Sequence, residues 1–253
     1  MNVYQKIAWL QFNNDDFSLR RVFGKEKLKY LEQGKQSLLD EGFSYGIEPL
    51  TEKNLQDFFV LYSEYISTKH NPNVHDLLAL YGERIAAGEA IFLGYVRKGD
   101  SLLGGAIFIH KPVRGKNGLV LGFRAFSSVI FNKLSIGYYL EYLYFSFGLE
   151  LGVHVFSRGS DRNGYGALGS NVGLAIHKVQ LWFTPHVPSI DLSRLEIDET
   201  TIHDETIFFS QSDENTSQLD IVTIWTKYSP EEAEKAYGIF AKRGLITNYF
   251  YLS

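Results

Sequence analysis

The sequence predicts an α/β fold in which a mixed, mainly antiparallel sheet is flanked by helices. Segments with a helical period of apolar residues alternate with short apolar segments that are typical of strands. A strand, turn and strand unit at residues 90–110 comes before the helix that starts near Ser135, and another strand follows that helix. The 253 residues are 45% apolar and 15% aromatic, enough to bury the core of one large domain or two small ones.

The first half of the chain contains the antiparallel part of the predicted sheet. Leucines near a 3.6-residue period predict a helix over residues 25–40, and Gly42 ends it. Residues 46–50 form a short strand or turn, after which Thr51 caps a second helix. The remaining elements of this half are a third helix and three strands, at residues 75–87, 90–97, 102–110 and 119–127.

The second half begins with a predicted helix that opens near Ser135 and ends at Gly152. A short strand at residues 153–157 leads into a polar, glycine-rich loop at residues 157–166. The last helix starts at Ser229, where Pro230 suits the first helical position, and stops at Gly244. The other predicted elements are strands, at residues 179–184, 206–210, 218–225 and 246–252.

The overall composition excludes several classes of protein. There is no cysteine, so the chain has no disulfide framework, thiolate nucleophile or Cys-ligated metal. Its 25 Lys and Arg against 29 Asp and Glu do not suggest a general nucleic-acid binder. A signal peptide is not indicated at the N-terminus, and no apolar run reaches the roughly 18 residues that cross a bilayer. We therefore expect a soluble, cytoplasmic protein.

The charge is unevenly distributed along the chain. Residues 191–220 carry nine acidic side chains against Arg194 alone, whereas residues 97–133 carry seven basic side chains against Asp100 alone. Two interpretations stay open. The charged segments are either solvated loops, or a basic edge for an anionic ligand with an acidic insertion that faces a cationic one.

Common catalytic motifs are missing. The histidines do not form the His-Glu-x-x-His zinc motif, and neither a Gly-x-Ser-x-Gly elbow nor a phosphate loop ending in Gly-Lys-Ser/Thr is present. Gly164 and Gly166 form a Gly-x-Gly pair without the rest of a dinucleotide fingerprint. Hydrolase, nucleoside triphosphatase and simple dehydrogenase activities are therefore not indicated, and we expect no metal.

Two segments combine polar groups with special backbone positions. Asn132, Lys133, Ser135 and Gly137 lie where a helix begins, and free N–H groups there suit a pyrophosphate. The polar segment 157–166 leaves the end of a predicted parallel strand, the edge at which open α/β sheets bind ligands. Either segment could instead be an ordinary connecting loop without a ligand. Candidate ligand-binding side chains of the second segment are those of Arg158, Ser160, Asp161, Arg162, Asn163 and Tyr165.

The order of these elements resembles the Gcn5-related N-acetyltransferase (GNAT) superfamily, and within it the Fem-like branch of acyl and aminoacyl transferases. The resemblance covers residues 46–185. It depends on the hairpin that ends at residues 103–109, the helix start at Ser135, and Leu174 with Lys178, which look like the Leu-x-x-x-Lys segment that closes Fem-like domains. The domain prediction is an N-terminal extension (residues 1–45), the acyltransferase core (46–185), and an acidic hairpin, helix and strand (186–253).

The resemblance implies an N-acyltransferase that transfers an acyl or aminoacyl group to the amine of a small molecule, sugar or peptide by direct attack. Acyl-coenzyme A would be the co-substrate and aminoacyl-tRNA the alternative donor. The usual Gln/Arg-x-x-Gly-x-Gly/Ala signature is degraded here, because Asn132 or Lys133 stands for Arg, and Ser135 for the first Gly.

Site roles follow from the same resemblance. Asp161 or Glu141 would accept the amine proton, Tyr165 would reprotonate the leaving group, and a backbone N–H near Ser127 or Ser135 would stabilise the oxyanion. The donor would contact five residues: Ser127, Asn132, Lys133, Ser135 and Gly137. The substrate would contact Arg158, Arg162, Asn163 and Lys178. The alternative is a non-catalytic protein of the same fold that binds an anionic partner.

Overall fold

The computed structural model describes residues 2–69, 72–166, 171–189 and 192–252. This part of the chain contains eight helices: α1 Leu19–Phe23, α2 Lys25–Asp40, α3 Glu52–Ser67, α4 Leu77–Ala86, α5 Ile136–Glu150, α6 Val172–Gln180, α7 Pro230–Tyr237 and α8 Ile239–Lys242. Its strands are β1 Asn2–Tyr4, β2 Lys6–Phe12, β3 Phe43–Pro49, β4 Ile91–Lys98, β5 Ser101–Val113, β6 Lys116–Phe126, β7 Ile130–Phe131, β8 Leu134–Ser135, β9 Val155–Arg162, β10 Tyr165–Gly166, β11 Thr184–His186, β12 Arg194–Glu196, β13 Thr206–Ser210, β14 Ile221–Thr226 and β15 Ile246–Tyr251.

The predicted α/β class with a mainly antiparallel sheet is confirmed, and the chain forms two compact units. The first unit combines Met1–Gln11 with Ser157–Ser253, and the second is Phe12–Phe156. The predicted domain boundaries at residues 45 and 185 stay a prediction. None of the helices in the described residues is long and apolar enough to cross a membrane.

The second unit is built on the antiparallel strands β6, β5, β4 and β3, adjacent in that order. Two neighbouring glycines of β5 show how helices cover both faces. A Cβ at Gly104 would lie 2.4 Å from Ile136 of α5, and one at Gly105 would lie 2.5 Å from Phe58 of α3. Because successive strand residues point to opposite faces, α5 covers one face and α3 the other. Only glycine lets both helices approach this closely.

In the first unit, strands β11, β2 and β9 are neighbours, and β10, β13, β14 and β15 form another sheet. Strands β14 and β15 pair in parallel, and helices α7 and α8 connect them. Parallel neighbours need a long crossover of this kind, because a tight turn cannot join them. A small core of Val3, Phe208 and Trp225 lies beside them, with Ile197 and Ile202 completing it.

Several predicted elements are corrected. The loop at residues 157–166 is largely strand, because β9 continues to Arg162. The strand predicted at residues 179–184 is instead the end of α6 and a turn, and the adjacent strand is β11. The last helix is interrupted at Gly238 and becomes α7 and α8.

The basic loop at residues 111–116 is also shorter than predicted. Strand β5 continues to Val113 and β6 begins at Lys116, so only Arg114 and Gly115 form the turn. Both have positive φ, 50° and 73°, as a two-residue hairpin turn requires.

Candidate active site

Three residues that the sequence analysis singled out meet in the first unit. Asp161 Oδ2 accepts a hydrogen bond from the Tyr165 hydroxyl at 2.5 Å and contacts Lys178 Nζ at 2.5 Å. Trp9 adds a fourth member, because its Nε1 donates to the Tyr165 hydroxyl oxygen at 2.7 Å. We call Trp9, Asp161, Tyr165 and Lys178 the Asp161 cluster.

Local structure explains why these side chains converge. Asp161 lies near the end of β9, and Gly164, with φ of 110°, turns the chain into β10, where Tyr165 pairs with Ile207. Lys178 lies on the buried side of α6 with Ala175, and the Asn171 side chain caps this helix by accepting from the Gly173 N–H. Asp161, which was predicted to lie in a loop, therefore lies on a regular strand.

Burial sets the protonation of Tyr165. The side chain is fully buried, and this raises its pKa well above the ordinary value of 10. The negative charge of Asp161 and the hydrogen bond to it raise the pKa further, while the Trp9 hydrogen bond lowers it. Tyr165 is therefore a neutral hydroxyl donor at physiological pH. Lys178 is 4% exposed and Asp161 15% exposed, so the carboxylate is the member of this ion pair that solvent reaches.

The other predicted substrate-binding residues are less closely gathered. Asn163 is fully buried and uses its side chain to bridge the Phe209 backbone, donating to O at 2.8 Å and accepting from N at 3.0 Å. Its geometry fits a structural role. Arg158 is buried with its guanidinium 5.2 Å from the Phe183 ring centroid, and Arg162 is exposed at the end of β9.

The predicted donor-binding segment lies in the second unit and has an unexpected form. Strands β7 and β8 make a hairpin whose two-residue turn is Asn132 and Lys133, with φ of 43° and 66°. Both turn side chains contact Tyr30 of α2. Asn132 Nδ2 donates to its carbonyl at 2.8 Å, and Lys133 Nζ lies 3.3 Å from its hydroxyl.

The start of α5 fits an anionic group in part. Ser135 is the N-cap residue, but its side chain makes no capping hydrogen bond, so the first-turn N–H groups are not satisfied by it. Gly137 lies against Phe126, whose ring a Cβ would approach to 2.8 Å. The backbone at this helix start suits a pyrophosphate. Asn132 and Lys133 instead serve the hairpin turn and Tyr30.

Ser127 follows β6, and its two polar groups differ. The N–H donates to the Leu103 carbonyl at 2.8 Å, so it already has a partner. The Oγ is buried and has no hydrogen-bond partner in the part of the chain that the structure describes. If Ser127 stabilises an oxyanion, its hydroxyl is therefore the better candidate donor than its N–H.

Glu141 lies in the second unit on α5 and forms an ion pair with Arg124 of β6. The glutamate is 1% exposed and the arginine 18% exposed, and the guanidinium lies 5.3 Å from the Phe126 ring centroid. The carboxylate that the sequence offered as an alternative base is thus covered by its cation.

Many carboxylates of the acidic segment have local partners. Asp198 accepts from Thr200, Asp220 accepts from the Ser212 N–H and hydroxyl, and Glu205 accepts from the Tyr237 hydroxyl at 2.8 Å. Asp191 lies outside the described residues. These contacts favour the interpretation of this segment as structured surface loops. Among the described residues, no group of His, Asp and Glu is arranged to hold a metal ion.

Sequence reasoning missed Trp9 and Arg124 as site residues. Trp9 is 156 positions from Tyr165, so no spacing in the chain links the two. For Arg124 a signal was available. Alternate residues of β6 point to the same face of the sheet, so the alternation along β6 and the helical period of α5 could have suggested that Arg124 has a partner on that helix.

Comparison with solved structures identifies the fold. FemX superposes with a TM-score of 0.52 at 13% identity, covering 74% of this chain and 60% of that one. The chain has a GNAT-like, Fem-like fold. L-PGS from Bacillus licheniformis matches with a TM-score of 0.41 at 16% identity, covering 73% of this chain and 55% of that one. The acetyltransferase yncA from Salmonella typhimurium matches with a TM-score of 0.36 at 15% identity, covering 64% of this chain and 97% of that one.

The chain spans 55% of the length of L-PGS and 60% of that of FemX. No family model and no curated protein matches the sequence. At these identities the likeness establishes the fold and leaves the chemistry to be argued from the residues.

Proposed function

We propose that the protein is an N-acyltransferase that transfers an acyl group directly to an amino group of a small molecule, sugar or peptide. The observation that supports this best is the Asp161 cluster, in which three residues expected to act together share one carboxylate oxygen. The Fem-like fold is consistent with this activity.

The first step assigned to the cluster is removal of a proton from the amine. Asp161 is partly exposed, and Lys178 and Tyr165 hold its Oδ2 in place, so Oδ1 is the oxygen that receives the proton, directly or through water. The neutral amine then attacks the acyl carbonyl carbon. The C–N bond forms, and the electron pair of the carbonyl moves to oxygen.

Collapse of the tetrahedral intermediate breaks the bond to the leaving thiolate or ribose oxygen, which takes up a proton. Tyr165 is the proposed source of that proton, because its hydroxyl is protonated and donates to the carboxylate of Asp161. The Ser127 hydroxyl is the proposed donor to the oxyanion, since it is buried and has no hydrogen-bond partner among the described residues. Glu141 stays an alternative base.

The proposed donor is an acyl-coenzyme A, with its pyrophosphate at the N–H groups of the first turn of α5, beside Ser135 and Gly137. Coenzyme A would supply the activated thioester. Aminoacyl-tRNA is the alternative donor, with the basic segment 97–133 available to phosphates. Part of that segment is engaged, because Arg97 pairs with Glu48 and Asp57.

One observation favours the second candidate, a non-catalytic binding protein on the same fold. Asn132 and Lys133, which replace the phosphate-binding signature, are committed to a hairpin turn and to Tyr30. A protein that no longer binds an acyl donor would not need a phosphate-binding signature at these positions, and a hairpin turn there would not impair its function.

Turnover of a panel of acyl-coenzyme A thioesters and charged tRNAs with amine acceptors tests the proposal. We expect Asp161→Asn to lower kcat by about 10²–10⁴-fold, the usual contribution of an acid or base. Tyr165→Phe should also lower kcat. Adding the donor or the acceptor should not restore the thermal stability of this variant to that of wild type. Tyr237→Phe is the matched control, because it removes a tyrosine hydroxyl from another carboxylate, Glu205.

No turnover with either class of donor would reject the enzyme and favour the binding protein. Turnover that is unaffected by Asp161→Asn would retain an acyltransferase and reject the assigned base.

A further inference from the structure

The β7–β8 hairpin of the second unit presents an isoleucine to solvent. Ile130 is 72% exposed, more than any other large apolar side chain of the described residues. The next residue, Phe131, is buried against the Phe43 and Tyr139 rings, because successive strand residues point to opposite sides. The hairpin is thus anchored on one side and holds an apolar group in water on the other. Ile130 has no role in the proposed acyl transfer.

Two basic segments that are far apart in the sequence meet at this hairpin. Residues 97–133 carry seven basic side chains against one acidic, and residues 19–36, which contain α1 and most of α2, carry six against two. The contacts of the hairpin turn with Tyr30 join the two segments. Glu26 accepts from the Tyr30 hydroxyl at 3.4 Å and offsets only part of this charge. The net charge of the chain is −4, so the positive charge is a local concentration.

Lysines from three elements reach the hairpin or the residues beside it, and each lies on an aromatic ring. The pairs, with the distance from Nζ to the ring centroid, are Lys133 with Tyr30 (5.0 Å), Lys27 with Tyr138 (4.0 Å) and Lys98 with Phe43 (4.7 Å). Tyr138 lies in the first turn of α5, directly after β8, and Phe43 contacts Phe131 of β7. A lysine stem that packs on a ring leaves its ammonium group in contact with solvent.

An exposed apolar side chain among cations is the combination that binds an anionic bilayer. Each lysine near such a surface strengthens binding roughly 5-fold, and an apolar side chain adds to this by entering the acyl boundary. A nucleic acid would also attract the lysines. It would not use Ile130, however, because bases stack on aromatic rings and on arginine, and phosphates bind cations. Ile130 therefore favours a lipid surface over a nucleic acid.

We propose that the β7–β8 hairpin docks the protein on a bilayer that contains anionic lipids. Ile130 inserts between the head groups, and Lys27, Lys98 and Lys133 contact the lipid phosphates. Binding is peripheral and reversible, because one apolar side chain reaches only the boundary between head groups and acyl chains. The inference does not depend on the proposed acyltransferase function.

Co-sedimentation with vesicles of phosphatidylcholine, alone or with about 30% phosphatidylserine, tests the inference. We expect at least about 10-fold tighter binding to the anionic vesicles, and weaker binding as salt is raised from about 0.05 M to about 0.5 M. Ile130→Asp should weaken binding about 10-fold or more, because burial of the isoleucine is lost. Leu39→Asp is the matched control, since Leu39 is 51% exposed on α2 but precedes Asp40 and Glu41. It should bind as wild type does.

A fluorescent label measures the insertion directly. The chain has no cysteine, so Ile130→Cys provides a single thiol for an environment-sensitive fluorophore. We expect its emission to shift to shorter wavelength with anionic vesicles and to stay unchanged with phosphatidylcholine alone. Leu39→Cys with the same label should show no shift with either. This measurement does not depend on the folding of Ile130→Asp.

Removal of the lysines tests the electrostatic part. The double variant Lys27→Gln with Lys98→Gln should weaken binding to anionic vesicles about 10-fold or more. Lys235→Gln with Lys242→Gln is the matched control, because it removes the same charge from exposed positions of α7 and α8. An equal loss in both double variants would mean that net charge, and not the hairpin, governs binding.

Three results would overturn the inference: no binding to anionic vesicles, equal binding by wild-type protein and Ile130→Asp, or a label at residue 130 whose emission no vesicle shifts. Binding of tRNA in place of vesicles, lost in Lys27→Gln with Lys98→Gln and kept in Ile130→Asp, would assign the surface to nucleic acid instead. Acyl transfer to soluble amines is a separate readout, because Ile130→Asp should leave it at the wild-type rate.

Discussion

Two buried ion pairs, one in each unit, expose opposite partners to solvent. In the first unit Lys178 is 4% exposed and Asp161 15% exposed, whereas in the second unit Glu141 is 1% exposed and Arg124 18% exposed. One pair therefore presents an acid and the other a cation. A buried charge is costly and stays paired, so the chemistry available to each pair is that of its outer member.

This difference separates the two acids that the sequence offered as a general base. As the proposed base, Asp161 would take a proton from a neighbouring amine or water without losing its contact with Lys178. Glu141 would have to break its contact with Arg124 first. The comparison thus favours Asp161 as the proposed base, and gives Arg124 the role of an outward cation beside Phe126.

Removal of the cation from each pair should produce the largest effects. We expect Arg124→Met to lower the free energy of unfolding by about 3–5 kcal/mol, because Glu141 is left buried and charged without its cation. Lys178→Met should cost less, about 1–3 kcal/mol, since Asp161 keeps the Tyr165 hydrogen bond and some contact with solvent. Urea unfolding followed by circular dichroism measures both values.

Arg194→Met is the control, because its partner Glu214 is 81% exposed and such pairs contribute only about 0–1 kcal/mol. If Lys178→Met cost as much as Arg124→Met, the partial exposure of Asp161 would have no energetic meaning, and the comparison would fail.

Tyr165 tests the hydrogen bonds that distinguish the first pair from the second. Tyr165→Phe should cost about 1–3 kcal/mol, because the buried Trp9 N–H loses its acceptor. Its raised pKa also predicts a pH dependence. The unfolded tyrosine releases its proton near pH 10 while the folded one keeps it, so this contribution to stability is complete below pH 10. It is lost at about 1.4 kcal/mol per pH unit above that value.

Unfolding measured between pH 9 and 11 checks this sign, and the variant should show a shallower decline than wild type. Other tyrosines with raised pKa values contribute to the decline that remains, among them Tyr81, Tyr139 and Tyr249, each at about 12. A slope unchanged by Tyr165→Phe would mean that the hydroxyl does not stay protonated in the folded protein.

Local signals predicted much of this structure. The period of leucines gave α2 its observed bounds, and Thr51 caps α3 as its residue type suggests. The Asp161 cluster was partly predictable, because Asp161 and Tyr165 are close in sequence and Lys178 matches the Leu-x-x-x-Lys segment of Fem-like domains. The extension of β9 to Arg162 was not, since glycines and charged residues disfavour strands unless neighbouring strands override that preference. Trp9 was beyond reach because only tertiary packing brings it to Tyr165.

The smallest effect is expected at Lys133, an exposed cation that contrasts with the two buried pairs. Its φ of 66° suits glycine, so Lys133→Gly should relieve about 1 kcal/mol of backbone strain. Loss of the Tyr30 contact offsets part of this, and we expect a net gain of about 0.5 kcal/mol in urea unfolding. Arg114→Gly, at φ of 50° in the other hairpin turn, is the matched control. Coenzyme A affinity measured on the same variants separates the two roles of Lys133. A turn residue leaves that affinity unchanged in both variants, whereas a phosphate ligand weakens it in Lys133→Gly alone.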